Sequence, residues 1–275
     1  MDQTRRHWDD LEAASAYDAE FRGIIGEYLQ RTEVDAALAE IPFRAGARIL
    51  DAGCGSGRHI QSMPPGTSCV GIDTSVNMLK IAKSKLGDGA TMLVAADATQ
   101  LPFRDKSFDG VISIRVLQHI MPQPAAIREF ARVSKPGAVV CVLNYNSWTL
   151  HCLIKILRHG RFAALATRAF RKLLGPDSRS RLTRIHRDYR NDFNSLPELS
   201  RIFQEAGLRV TTRKGSNVSG TWVLTNFWLA GPIERGLPRA LRAYLKWCDR
   251  IEQRCATQAP FNLFMDKVIV VGVRP

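Results

Sequence analysis

The sequence lacks several things, and each absence narrows the field. No apolar run approaches the roughly 18 uninterrupted residues of a membrane span. The start, MDQTRRHWDD, holds no apolar signal region, so a cytoplasmic protein is expected. The six cysteines (Cys54, Cys69, Cys141, Cys152, Cys248 and Cys255) form no CxxC pair, and the six histidines do not cluster with them. In a chain of 275 residues, scattered cysteines read as reduced, buried thiols, with neither a disulfide framework nor a structural metal. There is no internal repeat and no low-complexity tract. Acids are few beside bases: 26 Asp and Glu against 39 Lys and Arg leave a net charge of +13. That surplus suits an anionic partner such as nucleic acid, a lipid headgroup or an acidic metabolite. It equally suits a merely basic, soluble surface.

What is present is a rhythm. Residues 1–45 carry apolar side chains at helical spacing (Leu11, Ala14, Tyr17, Phe21, Ile24, Ile25, Tyr28, Leu29), and Pro42 ends that segment. From residue 46 short apolar runs alternate with helical patterns. ARILDA, SCVGID, TMLVAAD, FDGVISI and AVVCVLN read as strands. RHIQSM, SVNMLKIAKSKL and PAAIREFARVS read as helices, the second stopped by Gly87. Strands separated by helices pair in parallel, in a doubly wound α/β sheet. The rhythm breaks over 148–192, which is basic and partly amphipathic. It resumes over 193–215 with a helix and a strand, where Ser195 and Glu198 form a potential capping box and Gly207 a stop. Residues 216–262 form a second insert, irregular and helical, and 263–275 close on an apolar strand, MDKVIVVGVRP.

The first strand ends in DAGCGSG. Asp51 closes it, and Gly53, Gly55 and Gly57 follow before a helix. Glycines there let a ligand approach backbone closely, and the helix start offers free N–H groups. A dinucleotide turn wants G-x-G-x-x-G, but here Arg58 stands where the third glycine belongs. Asp51 would also point a carboxylate at a pyrophosphate, which repels it. A ligand with an ammonium or sulfonium group fits better. Asp73 ends the second strand, where an acid accepts hydrogen bonds from ribose hydroxyls. Asp97 ends the third, placed for an adenine amine.

These residues resemble the class I S-adenosylmethionine-dependent methyltransferases, in particular the group with a small-molecule-type core. The resemblance lies in LDAGCGSGRH, VGIDTSVNMLKIAK, AADATQLPFRDKSFDGVIS, VLQHI and EFARVSKPGAVV, roughly residues 47–145, and more weakly in SLPELSRIFQEAGL and DKVIVVGVRP. It implies a Rossmann-like methyltransferase fold: a doubly wound, seven-stranded, mostly parallel sheet with an antiparallel last strand and helical cap inserts. It also implies S-adenosyl-L-methionine as cofactor and S-adenosyl-L-homocysteine as product. On that resemblance Gly53, Gly55 and Gly57 line the methionine end, Asp51 reaches its amino group and Asp73 holds the ribose. Thr74 and Met78 flank the adenine, Asp97 and Ala98 bind its edge, and Arg115 sets its backbone near the methionine moiety. SKPGAVV departs from the family in lacking a second glycine after its PG.

Methyl transfer by in-line displacement needs alignment and shielding from water, and a base only where the acceptor must lose a proton. Gln118 and His119 follow the fourth strand, and His119 is either that base or a packed helix residue. Asn144 and Tyr145 follow the fifth and border the acceptor. Tyr17 is either a lid over the cofactor or a core-facing aromatic. His186, Asp188 and Tyr189 either reach the acceptor or lie in a solvated charged stretch. Arg58 and His59 are assigned to the helix after the turn rather than to catalysis.

Residues 151–190 hold eleven Lys or Arg against two acids, so most of the net charge is local to this insert. It reads as a cap helix packed on the core, a helix lying on an anionic membrane surface, or an RNA contact. The aromatic TWVLTNFWLAGPI and the basic LPRALRAYLKWCDRIEQR repeat the theme. Together the inserts suit a small-molecule, lipid-linked or glycan-linked acceptor, with methylation at oxygen or nitrogen. Peripheral contact with an anionic membrane goes with that reading. Two alternatives stand beside it: a tRNA-modifying methyltransferase, and a catalytically silent cofactor-binding subunit. The sequence leaves the oligomeric state open.

Overall fold

A computed structural model describes residues 10, 23–87, 91–148, 193–217 and 230–275. Tyr17, the basic stretch with His186, Asp188 and Tyr189, and most of the aromatic TWVLTNFWLAGPI lie outside the described residues.

Seven strands form one sheet: β1 (Arg48–Ala52), β2 (Ser68–Asp73), β3 (Met92–Ala95), β4 (Phe108–Ile114), β5 (Ser134–Tyr145), β6 (Arg209–Ser216) and β7 (Lys267–Val273). Their spatial order is β3-β2-β1-β4-β5-β7-β6. The first five pair in parallel, and β7 runs antiparallel between β5 and β6. The central strands are apolar runs because helices cover both faces of a doubly wound sheet. Leu50, Val70, Val111, Val140, Val142 and Val270 point to one face. Their neighbours Ile49, Cys69, Ile112, Cys141, Leu143 and Ile269 point to the other. This is the two-residue period of a strand.

The helices are α1 (Gly23–Leu29), α2 (Ala36–Leu38), α3 (Arg58–Gln61), α4 (Val76–Leu86), α5 (Gln123–Val133), α6 (Leu196–Glu205), α7 (Ala230–Gly236) and α8 (Pro238–Cys255). Local chemistry sets their ends. Ser75 caps α4 by accepting from Met78 N at 3.1 Å, and Gly87 ends it at φ 67°. The capping box of α6 is complete, Ser195 and Glu198 each bonding the other's backbone N–H. Ile127 and Phe130 of α5, with Leu199 and Phe203 of α6, fill one side of the sheet.

The structure refines several sequence expectations. The N-terminal helix stops at Leu38, before Pro42, and a π-helical turn (Gln30–Asp35) joins α1 to α2. α3 is a single turn. β5 begins at Ser134, earlier than AVVCVLN. VLQHI forms a 3-10 turn, Leu117–His119. The second insert contributes α7 and α8. Leu241, Leu245 and Cys248 of α8 bury against Ile24, Ile25 and Tyr28 of α1, so segments two hundred residues apart form one cap. No helix among the described residues is long and apolar enough to cross a membrane.

Candidate active site

The strand order reverses between β1 and β4, whose crossovers leave to opposite sides. A crevice therefore opens beyond their carboxyl ends, the usual ligand position in such sheets. Asp51 is the penultimate residue of β1 and the glycine turn follows it, Arg115 follows β4, and Tyr145 ends β5. Because β7 is antiparallel, its first residue Lys267 sits at this same edge, opposite Tyr145.

The turn is fixed from below. Gly53 and Cys54 both donate their backbone N–H to Ile72 O at 2.8 Å. Gly53 has φ 87°, and a Cβ there would lie 2.3 Å from Val116 Cγ2. No other residue type fits between this backbone and the β4 loop. Gly55 differs: its φ is 50°, and a Cβ would meet nothing within 4 Å. Its missing side chain leaves open space beside the turn. Gly57 occupies the cap position before α3.

Asp51 is fully buried. His59 Nδ1 approaches it at 3.4 and 3.5 Å, and Oδ2 accepts no regular hydrogen bond. Asp73 accepts from Gly55 N at 3.0 Å through Oδ2 and from Ser75 N at 2.9 Å through Oδ1. Each carboxylate oxygen keeps a second lone pair for a ligand hydroxyl. Burial pushes the Asp73 carboxyl up to about 6, the bonds from Ser75 and Gly55 opposing and nearby Asp51 adding to the rise. Met78 is buried in the first turn of α4, next to Thr74 in the β2–α4 link, and Ala98 is buried in the core. Asp97 is exposed and accepts from Thr99 N and Thr99 Oγ1 at 2.8 and 2.7 Å, an Asx turn at the far side of the crevice. These features fit an adenosyl cofactor with an amino group: a buried acid with one oxygen, Oδ2, free of a hydrogen-bond donor, a two-oxygen acid one strand over, and open space at Gly55.

Beyond β4 the geometry is more constrained. Arg115 holds φ 60°, unusual for a side-chain-bearing residue. Gln118 Nε2 donates to Arg115 O at 2.7 Å and lies 3.2 Å from His119 Nε2. Gln118 and His119 therefore sit side by side after β4, with His119 Nε2 beside the Gln118 amide. Asn144 is buried in an amide chain: it donates to Asn194, Asn194 to Gln123, and Gln123 to Leu117 O, at 2.7, 2.8 and 3.1 Å. That chain fixes the end of β5 against the 3-10 turn. The Tyr145 ring has Phe193 at 5.4 Å between centroids, and Arg115 Cζ and Lys267 Nζ each 5.4 Å from its own centroid.

Four participants escaped the sequence reading. Arg58 and His59 lie in α3 but turn back to the site, His59 to Asp51 and Arg58 to Gln30 Oε1 at 2.9 Å. Glu33 and Lys267 meet at 2.8 Å, both buried. A signal existed for Glu33: it falls on the Leu29, Ala37, Ile41 stripe at four-residue spacing, where an apolar residue belongs.

Sheet order, crevice and acids together define an α/β protein built for an adenosyl cofactor. A family model described as a methyltransferase domain matches residues 50–142. A demethylmenaquinone methyltransferase of Staphylococcus aureus is 31% identical over 175 residues, 62% of this chain and 71% of that one. The tRNA (carboxymethyluridine(34)-5-O)-methyltransferase of Arabidopsis thaliana is 32% identical over 169 residues, 60% of this chain and 39% of that one. The chain spans 54% to 58% of the length of four other curated relatives. Among solved structures, the complex between the Haloferax volcanii Trm112 methyltransferase activator and a methyltransferase contains a similar fold. It aligns at TM-score 0.63 and 20% identity, over 99% of this chain and 97% of that one. The chain belongs to the class I S-adenosylmethionine-dependent methyltransferases.

Proposed function

We propose that the protein transfers a methyl group from S-adenosylmethionine to a small or lipid-linked metabolite. One observation carries the cofactor half: Asp73, at the end of β2, holds the glycine turn through Gly55 N while keeping acceptor capacity toward the crevice. The bound cofactor would supply an electrophilic sulfonium methyl. Asp51 would accept from its amino group, Asp73 from its ribose, and the Gly53–Gly57 turn would pass beneath its methionine end. The chain's own part is then to align the acceptor and keep water out.

The acceptor reading draws on the cap. Its described part presents a basic helix with Trp247 and Leu237 exposed, a combination suited to an apolar, anionic substrate. The likeness to a demethylmenaquinone methyltransferase favours the same class. A tRNA acceptor is the second reading, favoured by the likeness to the Arabidopsis enzyme and by the basic insert.

Labelled S-adenosylmethionine incubated with metabolite, lipid and RNA fractions separates the readings. Label in the lipid or metabolite fraction is expected. Label confined to RNA would replace the first reading by the second, and none in any fraction would favour a silent cofactor-binding subunit.

A further inference from the structure

Glu33 is a buried charge that the cofactor contacts above do not use. It lies in the π-helical turn Gln30–Asp35, where Thr32, Glu33 and Val34 are all buried. Three consecutive buried positions exceed the single stripe of a regular amphipathic helix, and π-turns are frequent at functional sites. Glu33 Oε1 lies 2.8 Å from Lys267 Nζ; Oε2 lies 3.3 Å from an Arg115 nitrogen and 3.9 Å from an Arg58 nitrogen. Those partners come from the start of β7, the loop after β4 and the first turn of α3. Burial alone would raise the Glu33 carboxyl, but Lys267, Arg115 and Arg58 outweigh it and hold it at about 2. It is ionised at neutral pH.

A buried ion cluster is a poor way merely to fasten a helix. Well-packed apolar residues of similar volume often hold as well or better. What a carboxylate adds is direction, since it sets where a guanidinium and an ammonium point. Here both cations flank one ring, that of Tyr145. Arg115 is also the residue whose strained backbone is pinned by Gln118.

We infer that Glu33 is a positioning residue: it fixes Arg115 and Lys267 about Tyr145 at the methionine end of the cofactor site. Through Arg58 it also latches the N-terminal cap onto the glycine turn. This rests on the cofactor reading above.

The test uses the full chain and S-adenosylhomocysteine, with affinity from calorimetry and Tm from thermal melting. Glu33→Gln is expected to lower Tm and weaken binding at least tenfold. Glu33→Asp keeps the charge one methylene short and is expected to restore part of the affinity. The double variant Glu33→Gln/Lys267→Met removes the buried ammonium together with the Glu33 charge, and leaves buried Asp266, whose Oδ2 lies 3.6 Å from Lys267 Nζ, without that cation. Its Tm is expected to recover in part while affinity stays at least tenfold down, because Arg115 and Arg58 still lack the carboxylate. Should Glu33→Gln not fold, the double variant decides alone. Recovery of affinity together with Tm, or unchanged binding by Glu33→Gln, would overturn the inference and leave the cluster purely structural. No binding by the unaltered protein is a separate result, which overturns the cofactor reading itself.

Discussion

At the residue scale, the three glycines of the turn are not equivalent. Gly53→Ala must adopt φ 87° and push its methyl into Val116. We expect a loss of about 2–4 kcal/mol, read by denaturant unfolding. Gly55→Ala meets no protein atom within 4 Å and carries only its backbone cost, about 1–2 kcal/mol. Its methyl would instead occupy ligand space, so we expect a folded protein that binds S-adenosylhomocysteine at least tenfold more weakly. Unimpaired binding by Gly55→Ala would place the ligand elsewhere. Asp73 is less separable. Asp73→Asn turns an NH2 toward Gly55 N or Ser75 N, which each need an acceptor, so we expect a loss of about 1–3 kcal/mol from the unsatisfied N–H, with cofactor affinity down about a hundredfold. Affinity equal to that of the unaltered protein would reject Asp73 as the ribose contact.

At the element scale, α1 and α8 are fastened chiefly to one another, through Ile24, Ile25 and Tyr28 on one side and Leu241, Leu245 and Cys248 on the other. Leu245→Ala opens a cavity in that small cluster and should cost about 2–4 kcal/mol. The loss should be local, with faster amide exchange across α1 and the π-helical turn while β1, β4 and β5 keep their protection. Uniform loss across the sheet would mean that cap and core unfold as one. Ser195→Ala is the matching control at the opposite side of the fold. Breaking the capping box of α6 should cost about 1 kcal/mol and leave cofactor affinity unchanged.

At the scale of the whole molecule, two acids tie stability to pH with opposite signs. Glu33 is held at about 2, below its ordinary 4.5. Its contribution is present above pH 4.5 and lost as pH falls toward 2. Asp73 is raised from 3.8 to about 6. Its neutral form favours the fold at low pH, and that contribution is lost as pH rises through 6. Above pH 6 its half-buried carboxylate is ionised and ready to accept ribose hydroxyls. S-adenosylhomocysteine should therefore raise Tm more at pH 7.5 than at pH 5, and equal shifts would separate ligand binding from Asp73 ionisation.

The strands, the glycine turn and the acids Asp51 and Asp73 were legible in the sequence; Asp97 was expected to end the third strand, but β3 stops at Ala95 and Asp97 lies two residues beyond it, bonded to Thr99. Runs such as SCVGID and FDGVISI became strands with the bounds expected of them, because strands covered on both faces leave little choice of periodicity. The Asp51–Gly57 turn was legible because backbone conformation and close approach restrict residue type locally. The tertiary structure alone decided what comes together across long separations: α1 with α8, Asn144 with Asn194 and Gln123, and Glu33 with Arg58, Arg115 and Lys267. Arg58 illustrates the reason. Its position in a helix was visible from its neighbours, but its direction was not. A charged side chain turns inward only when another element supplies a counter-charge, and that element lies 25 residues earlier in the chain, brought near by the packing of the whole sheet.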